Sequence, residues 1–111
     1  MTVSELVAEL GLEVIVMGDK DREITGGYSC DLLSWVIGRA NPGDAWITVI
    51  GNINTIAVSI LADTSCIILA ENSAIDPQAT KRAETEGVTV LRSSKNAFQL
   101  SFEIGRLLKV D

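Results

Sequence analysis

Short apolar runs alternate along the chain with segments whose apolar residues recur at helical spacing. The runs LEVIVM (12–17), WITVI (46–50), CIILA (66–70) and VTVL (88–91) are rich in β-branched residues and predict strands. Because strands and helices alternate along the whole chain, the pattern predicts an α/β fold. We expect a layered, mainly parallel sheet of four to five strands flanked by helices.

Capping and breaking residues mark the predicted helix boundaries. Thr2 and Glu5 have capping-box spacing and Gly11 follows as a stop, which predicts a first helix between them. Later helices are predicted at residues 28–40, around 53–61, at 77–86 with Pro77 in the first position and Gly87 as the stop, and at 96–108. Residues 22–25 are expected to be extended, and Gly26-Gly27 to break the chain before helix 28–40.

Length and composition indicate one folded domain that covers residues 1–111. Hydrophobic residues make up 47% of the chain and charged residues 22%, which is typical of a globular protein. No apolar stretch is long enough to span a bilayer, and acidic residues stand where a signal peptide would carry positive charge. We therefore expect a cytoplasmic protein with no membrane partner.

Charge and residue types exclude several functions. The formal net charge of −6 disfavours binding to nucleic acid. The chain has no histidine, so Ser-His and Cys-His mechanisms lack their general base. Cys30 and Cys66 lie in apolar patterns and are interpreted as reduced core residues, too few for a zinc site. P-loop and dinucleotide-binding glycine motifs are absent. The sequence predicts neither a metal nor a cofactor.

Small polar residues follow the predicted strands. Since ligands of α/β sheets favour the crevice beyond the carboxyl ends of parallel strands, we expect these residues to converge there on a small anionic ligand. An alternative is that Gly26-Gly27 only supplies positive φ, that Ser29 caps a helix and that Asp31 complements its dipole. No catalytic residue is predicted, and the candidate ligand-binding residues are Asp21, Arg22, Thr25, Gly26, Gly27, Ser29, Thr48, Gly51, Asn52, Asn54 and Ser94.

The large aromatic residues are interpreted in two ways. Trp35 and Trp46 stand beside apolar stripes, and large aromatics in so small a chain favour a subunit interface. We therefore expect a homodimer. Phe98 and Phe102 have helical spacing and are interpreted as core residues.

The stretch Asp21-Arg22 with Thr25-Gly26-Gly27 resembles the signature of the DRTGG domain family, with Glu23 and Ile24 inserted between its two parts. The resemblance continues through D-L-L-S (31–34), W-I-T (46–48), N-x-x-A-V (54–58), C-I-I-L-A (66–70) and A-x-x-x-G-V (83–88), and so covers nearly the whole chain. Such domains are joined to phosphotransacetylases and to paired CBS domains, and they are similar to the non-catalytic N-terminal domain of HPr kinase/phosphorylase. The resemblance implies a regulatory or ligand-sensing domain with no established reaction of its own.

Three functions remain open. The leading hypothesis is a non-catalytic regulatory module that binds a small anionic or nucleotide-like metabolite and acts through an unidentified partner protein. A scaffolding or interaction subunit without a ligand, in which the glycines are structural, is the second. The third is an enzyme related to phosphoryl or acyl transfer that uses only Asp, Arg, Ser or Lys groups.

Overall fold

The computed structural model of the protein describes residues 1–110 and contains one five-stranded sheet with helices between its strands. The α/β fold expected from the alternation of apolar patterns is confirmed. In chain order the elements are α1 (Val3–Leu10), β1 (Glu13–Val16), β2 (Gly26–Ser29), α2 (Leu33–Arg39), β3 (Asp44–Thr48), α3 (Ile53–Ala62), β4 (Cys66–Leu69), α4 (Pro77–Glu86), β5 (Val90–Arg92) and α5 (Ala97–Leu108).

The strands lie in the order β1-β5-β4-β3-β2. Strands β2, β3, β4 and β5 are parallel to one another, whereas β1 pairs with β5 in the antiparallel direction. The sheet is therefore mainly parallel, as predicted, with one reversed strand at an edge. Its two edge strands are β1 and β2.

Helices cover both faces of the sheet and form three layers. On one face, Ile47 and Ile68 pack with Leu6 of α1 and Leu100 of α5. On the other face, residues of α2, α3 and α4 pack against the alternate strand positions. That second cluster includes Val36, Trp46, Ile56, Ile67, Leu69, Ala79 and Val90. The alternation follows from the two-residue period of a strand, which places neighbouring side chains on opposite faces.

The ends of α1 follow the capping pattern in the sequence. The Thr2 hydroxyl accepts a hydrogen bond from the Glu5 N–H, and the Glu5 carboxylate accepts one from the Thr2 N–H at 2.9 Å. These hydrogen bonds lower the pKa of Glu5, since they favour its charged form. Gly11 adopts the left-handed conformation that ends the helix. The predicted helix 77–86 is also confirmed, with Pro77 at its start and Gly87 after its end.

The prediction of a helix over residues 28–40 is wrong at its start. Gly26–Ser29 forms strand β2, in which Tyr28 pairs with Trp46, and α2 begins only at Leu33. A glycine pair predicts a break in secondary structure when its partner strand is unknown. Here the pairing of β2 with β3 overrides this local preference. Strand β3 likewise begins at Asp44 and ends at Thr48, two residues earlier than expected at each end.

Strands β1 and β2 occupy opposite edges, so the chain between them must cross the width of the sheet. We call residues 17–25 the crossing segment. It must cover four inter-strand steps, or about 19 Å, which nine extended residues can span. It passes the amino ends of the parallel strands: the Gly18 N–H donates to Thr89 Oγ1 at 3.0 Å, and the Thr25 N–H donates to the Gly43 carbonyl at 3.1 Å.

Carbonyl groups of the crossing segment cap the first helix. The Val3 N–H donates to the Arg22 carbonyl and the Ser4 N–H donates to the Lys20 carbonyl, each at 3.0 Å. In return, the Ile24 N–H donates to the Met1 carbonyl at 2.8 Å. These bonds satisfy N–H groups that a helix leaves without intrahelical partners. Helix α1 and the crossing segment therefore depend on each other.

Replacing Gly43 tests how tightly the crossing segment is held. Gly43 has a φ of +86°, and a Cβ there would clash with the Thr25 hydroxyl. We expect Gly43→Ala to lower the free energy of unfolding by well over 1 kcal/mol, since the clash adds to the cost of a left-handed conformation. Gly87→Ala is the control, because Gly87 also has positive φ but open space at its Cβ position. Equal losses in urea denaturation would contradict this account.

Candidate functional site

The residues predicted to bind a ligand lie at the two opposite ends of the parallel strands, not at the edge strands β1 and β2. We call the end of the sheet at which β2, β3, β4 and β5 end the carboxyl edge, and the end at which they begin the amino edge. Ser29, Thr48, Gly51, Asn52, Asn54 and Ser94 lie at or just beyond the carboxyl edge. Asp21, Arg22, Thr25, Gly26 and Gly27 lie at the amino edge.

The predicted convergence of all these loops on one hollow is therefore wrong. Strand β1 is antiparallel to β5, so its carboxyl end lies at the amino edge of the other strands. Gly26 and Gly27 begin strand β2 and do not follow a strand. The direction of an edge strand is not encoded in its apolar pattern, so the sequence alone does not distinguish a parallel β1 from an antiparallel one.

The motif residues at the amino edge bind other parts of the chain. The Arg22 guanidinium donates to Asp63 Oδ1 and to the Asp63 carbonyl, both at 3.0 Å. The Thr25 hydroxyl donates to the Pro42 carbonyl at 3.1 Å. Asp63 itself ends α3 in a left-handed conformation with φ of 56°, and its carbonyl accepts from the Gly43 N–H. Arg22 and Thr25 thus join the crossing segment to the turns that precede β4 and β3.

Gly26, the first residue of the glycine pair, lies close to a side chain of the neighbouring strand. Gly26 lies opposite Asp44 in the parallel pair, and a Cβ there would stand 2.7 Å from Asp44 Oδ1. Neither glycine has a positive φ, so the alternative that they supply one is wrong. Ser29 lies within β2, so the alternative role as a helix cap is wrong as well.

At the carboxyl edge, Asp31 organises the loop after β3. Its Oδ1 accepts hydrogen bonds from the Thr48 hydroxyl at 2.8 Å and from the Val49 N–H at 3.0 Å. Thr48 is only 2% exposed, and its oxygen also accepts from the Ile50 N–H at 3.3 Å. Thr48 is therefore a buried support for this loop, and its hydroxyl does not face solvent.

Asn52 begins α3 at the same edge. Its side-chain oxygen accepts from the Asn54 N–H at 2.9 Å and from the Thr55 N–H at 3.2 Å. The Gly51 carbonyl accepts from the Asp76 N–H at 2.8 Å, and a Cβ on Gly51 would clash with the Ala74 carbonyl. The loops that precede α3 and α4 are consequently packed together. Among the predicted residues at this edge, Ser29, Asn54 and Ser94 are exposed.

Helix direction gives the two edges opposite electrostatic character. Helices α3, α4 and α5 each follow a parallel strand, so their N-termini lie at the carboxyl edge. Helix N-termini carry partial positive charge and free N–H groups, which favours anions. The basic side chains nearby are paired: Arg92 donates to the Glu13 carboxylate at 2.9 and 3.1 Å, and Lys95 donates to Glu103 at 2.8 Å.

A polar cleft of about 190 Å³ lies instead at the amino edge. It carries three carboxylates against one guanidinium, and α3 and α4 end beside it, so it disfavours an anionic ligand. The hydroxyl residues of this cleft are not among the residues predicted from the sequence, since they stand beside strands and no motif marks them. The polar side chains that line this cleft belong to Asp19, Arg22, Ser59, Asp63, Thr64, Ser65, Glu86 and Thr89.

Two predictions about aromatic residues are wrong. Trp46 is completely buried, and its Nε1 donates to the Cys30 carbonyl at 2.9 Å, so it cannot contact another subunit. Phe98 and Phe102 are 81% and 59% exposed, so they are surface residues and not core. Helical spacing identifies a stripe of apolar residues, but α5 carries two such stripes and only one faces the sheet.

Within residues 1–110, no group of three or more His, Cys, Asp or Glu side chains is arranged to hold a metal ion. Nor does any helix in that range have the length and apolar character needed to cross a bilayer. Cys30 and Cys66 are both free thiols.

The two thiols should differ in reactivity. Cys66 is buried, and burial raises the pKa of its thiol to about 12, which leaves almost no thiolate at pH 8. We expect iodoacetamide to label half-buried Cys30 first and to leave Cys66 intact in the folded protein, as measured by peptide mass spectrometry. In denaturant both should be labelled. Equal labelling rates in the folded state would contradict the burial of Cys66.

Comparison with known proteins identifies the family. The family model of the DRTGG domain matches residues 5–107. The fold resembles the crystal structure of the CBS and DRTGG domains of the regulatory region of Clostridium perfringens pyrophosphatase, which was solved in complex with an activator, diadenosine tetraphosphate. The TM-score is 0.68 and the sequence identity is 17%.

The alignment covers 91% of this chain but only 44% of the pyrophosphatase chain, and at this identity it supports the fold alone. It is a different neighbour from the HPr kinase/phosphorylase domain that the sequence resemblance suggested. No curated protein matches the chain in sequence. Because the family model covers nearly all residues, the chain belongs to the DRTGG domain family.

Proposed function

We propose that this DRTGG domain is a non-catalytic regulatory module that binds a small anionic or nucleotide-like metabolite at the carboxyl edge and acts through a partner protein. The observation that carries the proposal is the position of the N-termini of α3, α4 and α5, all at this edge. Partial positive charge there attracts phosphate or carboxylate groups. The acidic amino-edge cleft offers no comparable attraction.

The proposed ligand contacts are the predicted residues at the carboxyl edge. The side chains of Ser29, Asn54 and Ser94 are exposed and are the accessible groups. Gly51 and Asn52 complete the set, and Thr48 supports them through Asp31. The motif residues 21–27 lie at the other edge and are left out of the proposed ligand site.

Nucleotides are the first ligands to test. The pyrophosphatase regulatory region, which contains CBS and DRTGG domains, was crystallised with the activator diadenosine tetraphosphate, and this compound therefore heads the ligands to be tested. A ligand that contacts the loops before α3 and α5 would change the stability of one loop relative to the other. Its binding would pass a signal to a partner only if the ligand had different affinities for two conformations of the domain.

The proposal includes a homodimer that works in the cytoplasm. Exposed Phe98 and Phe102 support self-association, because large exposed aromatics are typical of interfaces. Free thiols at Cys30 and Cys66 suit a reducing compartment.

A specific observation favours a scaffolding role as the second candidate function. Arg22 and Thr25 of the motif are committed to internal hydrogen bonds, and Gly26 is required for close approach to Asp44. These residues are therefore explained without any ligand. A scaffold would bind a protein partner and show no response to small molecules.

A thermal-shift experiment distinguishes the two candidates. We expect ATP, diadenosine tetraphosphate or acetyl phosphate to raise the melting temperature, with a stabilisation of about 2.7 kcal/mol at a ligand concentration of 100 times Kd. Asn54→Asp places a negative charge in the first turn of α3 and should weaken binding at least tenfold by repulsion.

Ser4→Asp is the matched control, since it adds the same charge to the first turn of α1 at the amino edge. It should leave the ligand affinity unchanged. The ligand-binding proposal fails if none of the three compounds shifts the melting temperature, or if both substitutions weaken binding equally.

A further inference from the structure

The outer face of α5 combines two large exposed rings with two small residues. Phe98 and Phe102 are 81% and 59% exposed. Ser101 and Gly105 lie three and seven residues after Phe98, so all four residues share one side of the helix. We call these four residues the α5 outer face.

Gly105 is not required by the fold of one chain. A Cβ added there meets nothing within 4 Å, and the residue has no positive φ. Glycine inside a helix is less favourable than alanine. The missing side chain therefore leaves space on the surface without any packing benefit inside the domain.

A groove of about 140 Å³ runs beside this face. It is lined by Gly27 and Ile47 of the sheet and by Ser101, Ile104, Gly105 and Leu108 of α5. Its size is close to that of a 150 Å³ apolar cavity, which is large enough for a benzene ring. The groove can accept one phenyl ring, and phenyl rings stand exposed on the same helix.

We propose that the occupant of this groove is Phe98 of a second copy of the chain, in a two-fold symmetric dimer built on antiparallel α5 helices. In an antiparallel pair of helices, Phe98 of one copy lies opposite Gly105 of the other, and Phe102 lies opposite Ser101. Both pairs have their midpoint between positions 101 and 102. One two-fold axis through that point therefore creates all four contacts between a ring and a small residue. Such an interface is closed, because each copy offers both the ring and the groove. The inference rests on the proposed homodimer and specifies its interface.

The available apolar area agrees with a second copy. Four phenylalanine rings of roughly 200 Å² each, mostly exposed, would supply about half of the roughly 1,200 Å² that a stable interface needs. Leu108 and Val110, which is 64% exposed, extend the apolar surface. Arg106 and Lys109 are the exposed basic residues of this side, and Arg106 Cζ lies 5.8 Å from the centroid of the Phe102 ring in the same chain.

The other exposed aromatic residue is less suited to the interface. The Arg39 guanidinium covers the Trp35 ring, with Cζ 3.6 Å from the ring centroid. Trp35 on α2, which is 47% exposed, therefore provides a control site.

Sedimentation velocity over a range of concentrations tests the proposal. We expect the wild type to dimerise and Phe98→Lys to raise the dimer dissociation constant at least 100-fold, since the ring is lost and a charge is added to a basic face. Trp35→Lys, the matched control, should change it less than threefold. Circular dichroism should show that both variants remain folded.

A second pair of variants leaves the rings in place. Gly105→Leu fills the groove and should weaken the dimer at least tenfold while the domain stays folded. Gly38→Ala is the control, because Gly38 is also a helical glycine with open space at its Cβ position, on α2. It should not change the dimer dissociation constant.

The outcomes separate the linked proposals. A wild type that stays monomeric at high micromolar concentration overturns both the homodimer and its interface. If the dimer persists in Phe98→Lys and Gly105→Leu, the homodimer proposal stands but this interface is overturned. Association into open-ended larger species would also overturn this interface. Ligand-induced thermal shifts of the Phe98→Lys monomer report on the ligand proposal independently.

Discussion

The structure depends on the path of the crossing segment beneath the amino ends of the parallel strands. Strands β1 and β2 lie at opposite edges, so residues 17–25 must span the sheet before β2 can pair with β3. Carbonyls of this segment cap α1, and Arg22 binds the residue that ends α3. Helix α1, the turn before β4 and the start of β2 are thereby fixed relative to one another.

This path explains three residues of the DRTGG signature in physical terms. Arg22 binds Asp63, Thr25 binds the turn before β3, and Gly26 allows close approach to Asp44. The signature maintains the fold at the acidic edge of the sheet. The anion-binding site that we propose lies at the opposite edge, where α3, α4 and α5 begin. In this proposal the family signature and the ligand site lie at opposite ends of the strands.

Local features could be predicted from the sequence, whereas strand direction and face could not. The Thr2–Glu5 capping box, Pro77 and Gly87 act within one turn of helix, so the residues that define them are adjacent in sequence. The reversed direction of β1 depends on pairing with β5, about eighty residues away. The position of the candidate residues at the carboxyl edge was predicted because they follow parallel strands. The position of the motif residues 21–27 was predicted wrongly because they follow the reversed strand β1.

Native-state hydrogen exchange of backbone amides is the most direct test of the crossing segment. The amides of Val3, Ser4 and Ile24, which join α1 to this segment, should be protected in the wild type. Arg22→Ala should accelerate their exchange and leave the amide of Ala70, bonded to Thr48 at the far edge, unchanged. Fast exchange of these three amides in the wild type, or no effect of Arg22→Ala on them, would contradict the account.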